Sequence, residues 1–270
     1  TKKMNNIQGG IINELKEKAK RLGHSPKRRE VESLARKCYR HFGSFNEAKK
    51  KAGLSIVNVR ITLFPKNSFK IDKDLARIAA HLTADGHIYK DLKGLQFYSK
   101  NREILKELEK IIYKKFELRG KYGEGNGYGK CFRYTVFNSK ITKFLNELSI
   151  PAGDKMVTPF DVPDWIKNDK ELSKEYLKIL FYCEGSKYKQ SKNTEKIKIN
   201  FNKAEELLED GLKFMNSLKK LLRDLNIETT NIWVSKGNKR KRDGKITKRI
   251  NFHIRSNSNN TFINEIGWIK

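Results

Sequence analysis

The chain has 270 residues, with 59 Lys and Arg against 31 Asp and Glu and a formal charge of +28. Its 37% hydrophobic and 10% aromatic content supports one large or two ordinary domains and excludes a disordered basic tail. No apolar run approaches the roughly 18 residues of a membrane span, the basic start has no secretory h-region, and three scattered cysteines (Cys38, Cys131, Cys183) exclude a disulfide framework. A reducing compartment follows, with a cytoplasmic, nucleoid-associated protein expected.

Residues 11–21 place Ile11, Ile12, Leu15 and Ala19 on one helical stripe, and Gly23 stops it. Ser25-Pro26 reads as the N-cap and first residue of a second helix carrying Val31, Leu34, Ala35 and Cys38. Ser44 caps a third, short helix that Gly53 ends. Residues 1–54 therefore predict a small all-helical domain with helix-turn-helix character. Residues 55–70 carry Pro65, Asn67 and Ser68 and read as a linker, although Ile56–Phe64 is apolar enough to pack.

A pattern then appears twice. In residues 71–150, an apolar helix (74–84) ends at Asp85-Gly86. Strands at 87–89 and 95–98, a long amphipathic helix at 101–117, strands at 118–122 and 131–137, and a helix at 140–148 follow. The Gly-rich stretch 123–129 lies between two strands with no helix after it, so it reads as a flexible hairpin loop rather than a phosphate cradle. Residues 151–171, with Pro151, Pro159 and Pro163, form an irregular connector. In residues 172–270, a helix (172–183) ends at Glu184-Gly185. Strands at 186–189 and 196–201, a helix at 203–225, strands at 228–235 and 248–254, and a helix at 260–266 follow. Both halves read αββαββα, a duplication of element order.

The excess charge is uneven: +13 over residues 1–70, +5 over 71–170 and +10 over 171–270. Self-repulsion on this scale calls for a polyanionic partner, and nucleic acid is the economical one. Against that background Asp85 and Glu184 stand out. Each closes an apolar helix, where a carboxylate opposes the helix dipole, and each holds the same place in its repeat. Two carboxylates brought together amid positive charge can hold divalent metal against a phosphodiester.

The stretches Ile78-Ala-Ala-His-Leu-Thr-Ala-Asp85-Gly86 and Leu177-Lys-Ile-Leu-Phe-Tyr-Cys-Glu184-Gly185 resemble the two signature helices of LAGLIDADG homing endonucleases. Val162-Pro163-Asp164-Trp165-Ile166 resembles the Pro-x-Trp-Ile stretch that precedes the second half in archaeal-type members. The resemblance covers about residues 70–270. It implies an α+β fold of two pseudo-symmetric halves whose sheets form a DNA-binding saddle, with the signature helices at the centre. It implies a monomer that cuts long double-stranded DNA sites, leaving 3′ overhangs, with Mg²⁺ held by Asp85 and Glu184. By position it also implies basic residues near the metal: Lys100, Lys187 and Lys203, with Lys155 and Lys270 as weaker matches and Ser99 and Asn202 beside two of them. Small residues are usual where the signature helices touch; Ala80 and Ala84 fit, whereas Ile179 and the buried-face His81 depart from the pattern.

Residues 11–54 resemble a small helical repeat attached to some homing endonucleases, carried by Leu22-Gly-His-Ser-Pro-Lys-Arg-Arg-Glu30 and His41-Phe-Gly-Ser-Phe-Asn-Glu-Ala48. The resemblance implies an added DNA-contacting module, with Lys27, Arg28 and Arg29 at a helix start as phosphate contacts. Gln96, Tyr98, Arg133, Tyr134, Lys198, Asn200, Trp233 and Arg255 are candidate DNA contacts from the strands. Lys239, Arg240, Lys241 and Arg242, at a hairpin tip, are candidate backbone contacts. The alternative is a non-cleaving protein of the same fold, an intron RNA maturase or a DNA-binding regulator; its own intron RNA would be the further partner.

Overall fold

The computed structural model describes residues 6–56, 64–127, 129–191 and 194–269. The chain divides into two compact units after Leu63, within the stretch expected to link them. Residues 57–63 of that linker, and Lys270, lie outside the described residues.

The first unit contains α1 (Asn6–Leu22), α2 (Glu32–Phe42) and α3 (Phe45–Lys51). Leu15, Leu34, Cys38 and Ala48 form the centre of its own core. Ser44 caps α3 as expected, accepting from the Glu47 amide at 3.0 Å. Ser25 does not cap α2. Its hydroxyl donates to the Ser55 carbonyl at 2.6 Å. A short 3₁₀ turn at Arg28–Glu30 precedes α2, and Glu30 accepts from the Lys27 amide at 2.7 Å. Lys27, Arg28 and Arg29 therefore sit exposed on an extended residue and this turn, not at the start of an α-helix.

The second unit holds both αββαββα halves. The first comprises α4 (Lys73–Thr83), β1 (His87–Ile88), β2 (Leu95–Ser99), α5 (Arg102–Phe116), β3 (Lys121–Gly127), β4 (Gly129–Val136) and α6 (Ser139–Glu147). A short α7 (Asp164–Lys167) lies in the connector. The second half comprises α8 (Lys170–Glu184), β5 (Gly185–Ser191), β6 (Thr194–Ala204), α9 (Leu208–Asp224), β7 (Trp233–Lys239), β8 (Ile246–His253) and α10 (Asn259–Glu265). The two sheets share one topology: β1-β2-β4-β3 and β5-β6-β8-β7, antiparallel throughout. Asp72, Asn101, Asn138 and Asp169 cap α4, α5, α6 and α8 through their side-chain oxygens. Residues 64–70, read as linker, pack instead: Phe69 meets Phe144 edge-on at 4.9 Å, and Lys115 donates to the Lys70 carbonyl at 2.8 Å.

In each sheet one face is core and the other is open. Leu95, Phe97, Tyr134 and Val136 point into the core of the first half; Ile197, Ile199, Ile250 and Phe252 do so in the second. Tyr134 is fully buried, which corrects its assignment as a DNA contact by one step of strand parity. The Gly-rich stretch is a correction too. Residues 123–127 form paired strand, with Gly123 opposite Arg133 and Gly125 opposite Cys131. A Cβ on Gly125 would lie 2.4 Å from the Cys131 sulfur, and one on Gly123 would lie 3.1 Å from the Arg133 guanidinium. Backbone pairing needs no side chain, and here the glycines clear space for their cross-strand neighbours.

The helices α4 and α8 pack on each other and close the interface between the halves. Arg77 on α4 meets Glu175 on α8 at 2.7 Å, and Lys73 meets Glu171 at 2.8 Å. Ala80 is fully buried and Ile179 nearly so. Ile179 and His81 line a cavity of about 150 Å³ beside the helix pair. His81 lies 3.8 Å from the Cys183 sulfur through Nδ1, and burial pushes its pKa down to about 4. It is a neutral interface histidine.

Candidate active site

The connector runs past both helix ends. Ala152 bridges to Ile88 at the edge of the first sheet, and the Gly153 amide donates to the Ile88 carbonyl at 2.8 Å. Three residues later the Met156 carbonyl accepts from the Ala204 amide, at the end of β6, at 2.9 Å. Lys155 lies between these two anchors. Its ammonium donates to the carbonyls of Leu82 at 2.9 Å and Gly86 at 2.8 Å, and to that of Ala84. These are free carbonyls at the C-terminal end of α4, where a cation is favoured.

Asp85 lies two residues past the end of α4 and Glu184 is the last residue of α8, so both stand at the ends of the packed helices. Each is followed by a glycine that the packing requires. A Cβ on Gly86 would lie 2.6 Å from the His81 carbonyl oxygen, and one on Gly185 would lie 2.2 Å from that of Phe181. The acid-glycine pair thus has a steric half and a chemical half.

Asp85 is open to solvent on one side and Glu184 is half-buried, yet protein surrounds both. Burial raises the Asp85 carboxyl, opposed by Lys155 and by a hydrogen bond with Cys183. Burial first, and then the neighbouring Asp85 charge, push Glu184 up to about 7; Lys155 pulls the other way. Burial lowers Lys155 to about 8 against the pull of Glu184 and Asp85. The three groups form one electrostatic cluster: two carboxylates that resist joint ionisation and one ammonium between neutral and charged.

The donor set fits a hard divalent cation, since both ligands are carboxylate oxygens and the like-charge repulsion is relieved by a cation. Among the described residues no cluster of three or more His, Cys, Asp or Glu forms here. A cation at this pair would therefore take its remaining oxygens from water or phosphate, as Mg²⁺ commonly does.

The other residues singled out from sequence fall into three groups. Lys203 is corrected. It is 1% exposed on the core side of β6, and its ammonium donates to the carbonyls of Lys155 at 2.8 Å and Thr158 at 2.6 Å. It also sits over the Phe160 ring at 4.1 Å, and burial lowers its pKa to about 8. Gly211 on α9 leaves it room, because a Cβ there would lie 2.8 Å from Lys203 Cγ. Lys203 fixes the connector and cannot meet a phosphate. Lys187 lies on β5 and is paired with Glu195 at 2.9 Å, while Lys100 is exposed after β2. Ser99 accepts from the Asn101 amide at 3.1 Å.

Tyr98 and Arg133 pair on the face of the first sheet turned away from the core, where Gln96 lies opposite Thr135. Gln96 and Thr135 are themselves buried, which corrects Gln96 as a DNA contact. Tyr98 donates to Gln96 at 2.5 Å. Lys198, Asn200 and Trp233 share the open face of the second sheet. Asn200 donates to the Glu184 carbonyl at 3.4 Å, which brings this face to the helix end. Arg255 follows β8 and donates to the Thr229 carbonyl at 3.3 Å.

Sequence reasoning missed several neighbours. His253 stacks on Trp233 at 4.8 Å and bonds the Tyr188 hydroxyl at 2.9 Å, with Lys198 over the Trp233 ring at 5.6 Å. Strand alternation carries the signal for His253, which lies two residues from Asn251 and opposite Lys198. A cavity of about 1130 Å³ is lined by His87, Asp154, Lys155, Asn202, Arg240 and Arg249, among others, and joins the Lys155 region to the hairpin tip. The part played by Asp154 has no periodic signal, because the connector has no regular structure around it, and Lys155 is reached from sequence only through the resemblance.

Residues 10–55 match a family model described as a homing endonuclease associated repeat. The fold is similar to that of the homing endonuclease I-WcaI bound to its DNA recognition sequence, with a TM-score of 0.51 at 13% identity over 82% of this chain and 93% of that one. I-DmoI in complex with DNA and Ca gives a TM-score of 0.46 at 14% identity, over 74% and 91%. Among curated proteins, a tRNA-splicing ligase RtcB of Methanopyrus kandleri is 32% identical over 171 residues, 58% of this chain and 17% of that protein. The replication factor C small subunit of Methanocaldococcus jannaschii is 26% identical over 165 residues, 57% of this chain and 9% of that protein. The chain thus spans less than a fifth of the length of these relatives.

Proposed function

We propose that this chain is a site-specific double-stranded DNA endonuclease of the homing type, acting as a monomer on a long target. The observation that carries it is the pair Asp85 and Glu184 at the ends of two packed helices, with the charge of Lys155 acting on both and a basic sheet face turned away from the core on each half. Asp85 and Glu184 would hold Mg²⁺, which when bound activates water and stabilises the oxygen that leaves the phosphorus. Lys155 neutralises charge at the pair, and Lys100 and Lys187 lie where they could meet phosphate. Tyr98, Arg133, Lys198, Asn200 and Trp233 face the duplex, and the first unit adds phosphate contacts through Lys27, Arg28 and Arg29.

The curated relatives do not bring a ligase activity here. Each match takes up more than half of this chain, so the ligase and the replication factor match overlapping residues of it, although their named activities are unrelated. A segment common to both is separable from either activity. That favours a mobile, inserted module, as an endonuclease of this type would be.

The second reading is a non-cleaving nucleic-acid-binding protein, such as an intron RNA maturase or a regulator. It is favoured by Lys155, which already places a positive charge beside both acids without a metal. Incubation of the full chain with a randomised double-stranded DNA library and Mg²⁺ separates the readings. Defined double-strand ends from wild type, absent in Asp85→Asn and Glu184→Gln, support the nuclease. Salt-sensitive binding without ends in any of the three establishes the second reading.

A further inference from the structure

Asp154 carries two guanidinium groups that come from the tip of the β7–β8 hairpin. Arg240 and Arg242 each donate through Nη2 to the same carboxylate oxygen, Arg242 at 2.9 Å. The other oxygen accepts from the Met156 amide at 3.1 Å. Arg240 is 13% exposed and also reaches Asp243 at 3.4 Å, while Arg242 is 71% exposed. One nitrogen of Arg240, Nη1, is buried with no hydrogen-bond partner. All three side chains line the cavity of about 1130 Å³ that also contains Lys155 and Arg249.

Two convergent guanidinium groups on a single anionic oxygen make a phosphate-shaped fork. Burial pushes the Asp154 carboxyl up, but the Arg240 hydrogen bond and the two arginine charges outweigh it, so the group stays ionised. The cavity holds one anion against several cations, and the unpartnered Nη1 marks a donor that Asp154 leaves unused. An oxyanion with more acceptor oxygens than a carboxylate would satisfy it.

We propose that this cavity is a phosphodiester subsite and that Asp154 occupies it in the free protein, giving up Arg240 and Arg242 to a backbone phosphate when duplex DNA binds. The inference rests on the proposed function only in taking duplex DNA as the partner. Part of the hairpin's affinity is held back until a phosphate reaches the cavity. DNA that fails to reach it gains nothing from the two arginines, so the exchange adds discrimination. Because Lys155 is the next residue, the exchange takes place beside the acid pair.

The test is binding of the full chain to a random-sequence duplex in metal-free buffer, followed from low to moderate salt. Wild type is compared with Asp154→Asn, Arg242→Gln and the double variant. Freeing the fork should tighten Asp154→Asn binding about tenfold at low salt and steepen the log–log salt slope by about one to two phosphate contacts. Arg242→Gln should flatten the slope by about one. In the double variant most of the gain should vanish. A gain that persists there is bulk charge and overturns the inference, as does Asp154→Asn binding with the wild-type slope. Arg242 is exposed, so Arg242→Gln should melt like wild type, and its unchanged slope would overturn the inference even if Asp154→Asn failed to fold. Absence of any wild-type binding would remove the proposed function as well, whereas wild-type binding with no coupling between the two substitutions removes this inference alone.

Discussion

Lys203 donates to the carbonyl oxygen of Lys155 at 2.8 Å, so one buried lysine fixes the backbone from which another reaches the carbonyls at the end of α4. The two lysines have similarly lowered pKa values, both about 8, but opposite tasks. Lys203 bonds two connector carbonyls and sits over the Phe160 ring. Lys155 faces carbonyls and the charges of Asp85 and Glu184.

Lys203→Met should destabilise the protein by about 1–3 kcal/mol, because the Lys155 and Thr158 carbonyls lose their donor. Lys155→Met should also cost stability, since three carbonyls lose their donor, but it should leave the larger mark on strand cleavage. Denaturant unfolding and cleavage rates measured side by side on the two variants check this. Equal losses of stability with equal cleavage would refute the division of roles.

The acid pair fixes a pH dependence. Glu184 rises from 4.5 to about 7 on folding, so between those values the folded state binds more protons and stability falls as pH rises. Lys155 drops from 10.5 to about 8, so between 8 and 10.5 the unfolded state binds more protons and stability rises with pH. The metal-free protein should therefore be least stable near pH 7–8. Glu184→Gln should flatten the acidic limb and raise stability at pH 8 by about 1–2 kcal/mol. Melting curves across pH, with and without Mg²⁺, test it; Mg²⁺ should raise the melting temperature above pH 7 and have little effect at pH 5.5.

Glycines of the same kind should respond with opposite signs. Gly9 and Gly10 in α1 have nothing within 4 Å of a built Cβ, so alanine there should stabilise by about 0.5–1 kcal/mol each. Gly211 lies in α9, but its Cβ would stand 2.3 Å from Ile250 Cδ1. Gly211→Ala should lose about 1–3 kcal/mol despite the better helix former. Equilibrium unfolding of the three variants settles the comparison.

The open face of the second sheet should separate charge from stacking. Lys198→Ala should weaken duplex binding and flatten its salt slope by about one. Trp233→Ala should weaken binding at an unchanged slope, since Trp233 offers a ring stacked on His253 and no charge. Titrations at three salt concentrations distinguish the two.

Much of this was legible in the sequence because periodicity encodes burial. The order αββαββα, the two acid-glycine helix ends and the strand faces of Tyr98 and Lys198 all follow from periods of 3.6 and 2. The failures have local causes. Arg133 and Tyr134 are neighbours on one strand and point to opposite faces, so only one of the two can leave the core, and it is Arg133. Residues 123–127 were read as a loop because glycine has low strand propensity, although Arg133 and Cys131 opposite them need the space. Lys203 reads as a phosphate contact from sequence because nothing in its strand announces that Gly211, on the helix that follows, opens a pocket for it. Asp154 gave no signal, since its partners Arg240 and Arg242 come from a distant hairpin.

The acid-glycine pairs separate what the fold needs from what the chemistry needs. Gly86 and Gly185 admit no side chain, whereas Asp85 and Glu184 oppose a helix dipole and ionise reluctantly. A chance mutation at either glycine strikes the architecture; one at either acid relaxes it. Drift therefore runs downhill from a cutting protein to one that only binds, and the acids persist only while selection for cleavage acts on them.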